Sequence, residues 1–80
     1  MTINKSEIDI TIHLINLLLQ IEHVEIIQIN KSSTFFFPTS IEYDDDFNFV
    51  MVIDHDNKPW FFNSFELKYI TVVTKDGETL

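Results

Sequence analysis

The segment from Phe47 to Asn63 constrains this chain more than any other. Phe47-Asn48-Phe49-Val50-Met51-Val52-Ile53 is apolar at every position but one. His55-Asp56-Asn57-Lys58 is polar and turn-prone, and Pro59-Trp60-Phe61-Phe62 returns. Aromatic and β-branched residues on either side of such a turn specify a β-hairpin. Successive strand residues point to opposite faces. Phe47, Phe49, Met51 and Ile53 therefore share one face, expected to fill the core, while Asn48, Val50, Val52 and Asp54 share the other. A strand apolar on both sides must be central, or must meet a partner on its outer side. Val50 and Val52 are expected on that outer side, against another subunit or a target, and a homodimer is expected on this ground.

With 80 residues the chain makes one domain, residues 1–80, near the lower limit at which a single core suffices. It meets that limit with bulk: eight Phe, two Tyr, one Trp and twelve Ile, with no Ala. Aromatic rings bury about 150–250 Å² each, so Phe35, Phe36, Phe37, Trp60, Phe61 and Phe62 are expected in the core. A hydrophobic fraction of 45% argues for a folded domain despite the net charge. Abundant Ile, Asn, Lys and Phe beside absent Arg and Ala are what an AT-rich genome produces, as in low-GC bacteria and their phages.

Ile8, Ile12, Ile15, Leu18 and Leu19 recur at helical spacing, and Ser6 before Glu7 and Asp9 suits an N-cap with acids in the first turn. A helix over residues 6–22 is expected, although Ile8, Ile10, Ile12 and Leu14 also alternate as a strand would. From Val24 the pattern is β. Val24, Ile26 and Gln28 share a face, Lys31-Ser32-Ser33 turns, and Thr34 to Phe37 runs to Pro38. Ile41 and Tyr43 then alternate with Ser40 and Glu42. Ser64 to Lys68 suits one helical turn capped by Ser64, Tyr69 to Thr74 a last strand, and Lys75 to Glu78 a turn. The expected architecture is α+β, an N-terminal helix packed on a four- to five-stranded antiparallel sheet. The alternative is an SH3-like small β-barrel, with Phe65 to Tyr69 as the turn before its last strand.

Charge narrows the function. Thirteen Asp and Glu against five Lys and no Arg give −8. Six acids, Glu42, Asp44, Asp45, Asp46, Asp54 and Asp56, lie within fifteen residues uninterrupted by any Lys. Such a field favours cationic partners and opposes direct contact with nucleic acid or anionic lipid. Lysines scattered at 5, 31, 58, 68 and 75 form no basic groove. Without Cys there is no disulfide, thiolate nucleophile or zinc–cysteine site. One Gly leaves no phosphate-cradling loop and no nucleophile elbow around Ser32, Ser33, Ser40 or Ser64. No catalytic residues are assigned, and no enzyme activity is expected.

Metal and cofactor expectations are equally spare. An EF-hand loop needs oxygen ligands at positions 1, 3 and 5, Gly at 6 and Glu at 12. Counted from Asp44 or from Asp54, both registers fail. His13, His23 and His55 are not spaced to share a helix face. No cofactor and no metal ligand are assigned. The most apolar stretch, Leu14 to Ile21, is too short to span a bilayer, and Glu7 and Asp9 do not suit a signal peptide. A cytoplasmic location, in a host cell, is expected.

The acidic segment reads as a solvated face or as a protein-binding surface that imitates a nucleic acid. Residues i and i+2 on a strand lie ~6.6 Å apart on one face, comparable to successive phosphates. Tyr43, Phe47 or Trp60 would anchor apolar pockets beside them. Val50-Met51-Val52-Ile53, then Lys58-Pro59-Trp60 and a closing β segment, is similar over about a third of the chain to the C-terminal part of the phage uracil-DNA glycosylase inhibitors, small acidic α/β proteins that mimic DNA. That resemblance implies a phage-encoded inhibitor and transfers no residue roles. The expected function is therefore a non-enzymatic binding protein, encoded by a phage or mobile element. It would inhibit a basic host nucleic-acid-binding protein by DNA mimicry through Glu42, Tyr43, Asp44, Asp45, Asp46, Asp54, Asp56 and Trp60. The alternatives are a homo-oligomeric accessory module and an immunity protein against a basic toxin.

Overall fold

Asn4 starts the helix. In a computed structural model describing residues 1–80, its Oδ1 accepts the Ser6 backbone N–H at 3.1 Å and the Ser6 hydroxyl at 2.9 Å. A 3-10 turn over Lys5–Glu7 leads into α1, Ile8–Gln20. The cap falls two residues before Ser6 because Asn4 has the extended backbone a cap requires and a carboxamide long enough to reach the next turn. Ile8, Ile12, Ile15 and Leu19 are buried at 4-3-4 spacing, which is a helical stripe and not a strand alternation. The helix ends in a Schellman arrangement: His23 N–H donates to Leu18 C=O at 3.1 Å and Glu22 N–H to Leu19 C=O at 3.0 Å.

Six strands follow: β1 Val24–Ile29, β2 Ser33–Phe36, β3 Ser40–Asp44, β4 Phe49–Ile53, β5 Pro59–Asn63 and β6 Ile70–Thr74. They form two antiparallel three-stranded sheets, ordered β2-β1-β6 and β3-β4-β5. The α+β class and the N-terminal helix are as the sequence implies, and there is no closed barrel. The single sheet becomes two because the chain leaves the first one at Phe37-Pro38. Phe37 takes a left-handed backbone, φ 51°, and buried Pro38 has no N–H to extend a ladder.

One cluster of fifteen buried side chains draws on α1 and both sheets. The sheets also meet through aromatic rings, Phe35 of β2 lying 6.0 Å from Trp60 and 5.9 Å from Phe62, centroid to centroid. At its free edge β6 is flanked by both chain ends, Thr2 pairing with Tyr69 and Thr79 with Val73. Asn30 ties the β1–β2 turn to the segment before β6: its Oδ1 accepts from Lys68 N–H at 2.7 Å and Tyr69 N–H at 3.1 Å, and its Nδ2 donates to Glu66 C=O at 2.9 Å. No helix is long and apolar enough to cross a membrane.

Three sequence expectations are corrected. In β4 the buried side chains are Val50 and Val52, both fully enclosed, while Phe49, Met51 and Ile53 are half-buried on the outer face. Phe47 lies in the turn before the strand. The two valines fit the narrow space against Ile41 of β3 and the rest of the core, and the larger residues remain outside. In β1 a bulge between Val24 and Ile26 shifts the alternation, so Val24, Ile27 and Ile29 face inward instead of Val24, Ile26 and Gln28. Of six aromatics expected in the core, Phe35 is buried and Phe62 packs partly against it, whereas Phe36, Phe37, Trp60 and Phe61 are exposed.

Candidate protein-binding surface

Register defines what the second sheet shows to solvent. Ser40, Glu42 and Asp44 of β3 stand opposite Ile53, Met51 and Phe49 of β4, which stand opposite Pro59, Phe61 and Asn63 of β5. Because Ile41, Val50 and Val52 point inward, all nine of these residues share the outer face. The face carries an acidic row along β3 beside an apolar row along β4 and β5. It is open: Phe61 is 61% exposed, and its ring meets Phe49 edge-on at 5.3 Å.

The β3–β4 turn extends this face. Asp44 Oδ1 accepts the backbone N–H groups of Asp46 at 2.9 Å and Phe47 at 3.0 Å, an Asx turn that fixes the chain reversal. One consequence is a grouping of carboxylates, with an oxygen from each of Asp44, Asp45 and Asp46 within 4.8 Å of the others. Another is that Phe47 is turned outward, 77% exposed. Phe47, Phe49, Phe61 and Phe65 line a shallow groove of about 330 Å³ with Asn48 and Asn63. Phe65, in a 3-10 turn over Ser64–Glu66 capped by the Asn63 side chain at 2.9 Å, is itself 70% exposed. Carboxylates and exposed rings thus adjoin at one end of the sheet.

Asp54 and Asp56 lie elsewhere. They follow β4, whereas Asp44 to Asp46 precede it, so the length of that strand, roughly 17 Å at 3.4 Å per residue, separates the two groups. Asp54 is engaged in its own turn: Oδ1 accepts from Asp56 N–H at 2.9 Å and Lys58 N–H at 3.0 Å, and Oδ2 from the Trp60 indole N–H at 2.8 Å. The Trp60 bond, then the backbone N–H of Lys58, hold its carboxyl below the usual aspartate range. Asp56 is exposed beside His55, at 3.4 Å. Tyr43 packs partly against the core, and Trp60 lies between Phe35 and the Lys58 ammonium. Of the eight residues assigned from sequence, Glu42, Asp44, Asp45 and Asp46 come together on the open face.

Cation placement leaves this face unneutralised. His55–Asp56 is the one acid–base side-chain contact within 4.0 Å, and no Lys reaches a carboxylate. Lys5 donates instead to the carbonyls of Ser64 and Leu67. Lys31 sits over the Tyr69 ring at 4.5 Å and Lys58 over the Trp60 ring at 5.0 Å.

Sequence reading missed Phe61 and Phe65 as members of this surface. The usable signal is Asp44 followed by Asp46 and Phe47, an Asx-turn pattern that places Phe47 in the turn and starts β4 after it. Comparison of the chain with family models, curated proteins and solved structures finds no match. The short likeness over Val50–Ile53 and Lys58–Trp60 has no counterpart in those comparisons.

Proposed function

We propose that this protein is a non-enzymatic binding module for a basic protein, which it holds by the outer face of β3-β4-β5 and the β3–β4 turn. The observation that carries this reading is the grouping of Asp44, Asp45 and Asp46 carboxylates, without a lysine partner, beside the exposed rings of Phe47, Phe61 and Phe65. Charge next to an aromatic anchor suits a protein partner: the acids accelerate encounter, and desolvated rings slow release. Glu42 and Asp44 stand two residues apart on one face of a paired strand, ~6.6–6.8 Å along it. That spacing supports the narrower proposal that the partner is a nucleic-acid-binding protein whose phosphate-contacting surface these carboxylates occupy. An inhibitory role, and a phage or mobile-element setting, belong to the same proposal.

The test is affinity capture from a low-GC bacterial lysate with the parent chain and with a D45N/D46N/F47A variant as baits. A basic protein retained by the parent, lost from the variant and displaced by short duplex DNA would support the reading. Equal retention by both baits would refute the proposed surface, and retention unaffected by DNA would refute the mimicry.

A further inference from the structure

We infer that α1 is the seam of a homodimer, pairing antiparallel with α1 of a second copy of this chain. The helix has two apolar stripes. One, Ile8, Ile12, Ile15 and Leu19, is buried in the core. The other, Ile10, Leu14, Leu17 and Ile21, is offset by two residues and so runs along the opposite side of the helix, at the same 4-3-4 spacing and 42–70% exposed. Leu14, Leu17 and Ile21 line an apolar groove of about 640 Å³ whose wall is completed by Met1 and Leu80. A solvated helix face has no reason to carry four large aliphatics at the period of a helix–helix seam.

Charge selects the occupant. From Ile10 to Ile21 the chain has twelve consecutive residues with no Asp, Glu, Lys or Arg, in a protein of net charge −8. A basic partner would find no carboxylate along this seam, whereas the outer face of β3-β4-β5 and the β3–β4 turn offer several. A second copy, repelled elsewhere by its own charge, can approach along the uncharged stripe. The spacing is also self-complementary. In an antiparallel pair with its two-fold axis between Leu14 and Leu17, Ile10 meets Ile21 of the other copy and Leu14 meets Leu17. Antiparallel pairing further sets the two helix dipoles head to tail.

A seam this short suits a weak dimer and not an obligate one. A standard interface takes about 800 Å² from each partner, against a surface of 5059 Å² for this chain. The helix gives a seam ~20 Å long at 1.5 Å per residue, and Met1 and Leu80 widen it. This surface is distinct from the acidic face of the proposed function, and its salt response has the opposite sign. Screening relieves repulsion between two copies, so the dimer tightens as salt rises, while a complex with a basic partner weakens.

Sedimentation equilibrium of the full chain over a concentration series, at low and high salt, tests the inference. We expect a dimer at tens of micromolar that strengthens with salt. L14K/L17K should raise its dissociation constant more than about a hundredfold by placing charge in an apolar contact, and F61S should leave it unchanged. Because the chain has no native Cys, I10C and I21C can be oxidised separately and mixed. A disulfide that forms in the mixture, but in neither variant alone, reports the antiparallel pairing independently of the lysine variant's folding. A monomer at every concentration and salt, a dimer that survives L14K/L17K, or cross-links between like positions would overturn it.

Discussion

Trp60 donates its indole N–H to the Asp54 carboxylate at 2.8 Å, so the β4–β5 turn is closed by a side-chain bond as well as by backbone pairing. This bond lowers the Asp54 pKa below its ordinary value. A lowered carboxyl pKa in the folded state means stability that is present above the unfolded value, about 3.9. It is lost as pH falls through the lower folded value. Asp54→Asn should therefore melt below the parent at pH 7, with the gap narrowing as pH falls below about 4. Thermal melts followed by Trp60 fluorescence at several pH values measure it. A gap independent of pH would show that the ionised carboxylate is not what holds the turn.

Burial in β4 can be checked by a pair of substitutions. Val50 is fully enclosed, so Val50→Ala should cost about 2 kcal/mol in transfer and cavity energy. Phe61 is mostly exposed, and Phe61→Ser should cost less than about 1 kcal/mol, chiefly its edge-on contact with Phe49. Urea titration of both variants decides the matter. The reverse ranking would mean that the strand faces are assigned the wrong way round.

Helix termination offers a stabilising change. Glu22 has φ 59° and occupies the position after the C-cap at which glycine is preferred, because a Cβ is disfavoured in a left-handed backbone. Glu22→Gly should raise stability by about 0.5–1 kcal/mol, or roughly 4 °C in Tm for a domain of this size. Calorimetry reads the shift directly, and an unchanged or lower Tm would count against this account of the helix end.

Asn30 should be among the least replaceable polar residues. Its side chain satisfies two backbone N–H groups and one carbonyl far away in sequence, and its own backbone is left-handed, φ 53°. Asn30→Ala should cost about 2 kcal/mol. Asn30→Asp keeps the acceptor for Lys68 and Tyr69 but sets a carboxylate oxygen against the Glu66 carbonyl in place of the donated N–H, so its stability should fall between those of the parent and Asn30→Ala. Chemical denaturation of the two variants tests the ordering.

These residues also show how far the sequence could be read. The helix, the hairpins and the α+β class follow from periodicity and turn chemistry, which act over a few neighbouring residues. The faces of β4 do not, because alternation marks two faces without saying which is inward, and Phe and Met offer more apolar surface to bury than Val. Glu25 sits at a bulge that no local pattern announces. Asn4 and Asn63 cap where Ser6 and Ser64 were expected, since Asn and Ser are nearly equivalent caps and position alone separates them. The acids were legible as a charge but not as a site. Asp46 and Asp54 are eight positions apart along the chain, and an intervening strand sends them to opposite ends of a sheet. Asn30 was invisible because its partners lie more than thirty residues away.

Lysine placement has a consequence for amine chemistry. The Lys5 ammonium is held between two carbonyl oxygens, and those of Lys31 and Lys58 rest on aromatic rings, which leaves Lys68 and Lys75 as the amines with no such engagement. An acylating reagent used sparingly will mark those two first and Lys5 last. Each addition removes a positive charge from a chain that already carries −8, so labelled molecules separate by charge in the order in which their amines are freed. The fold thereby ranks its own five lysine amines, and a label introduced through Lys68 sits beside Phe65 of the shallow groove, whereas one through Lys75 sits just past β6, in the other sheet.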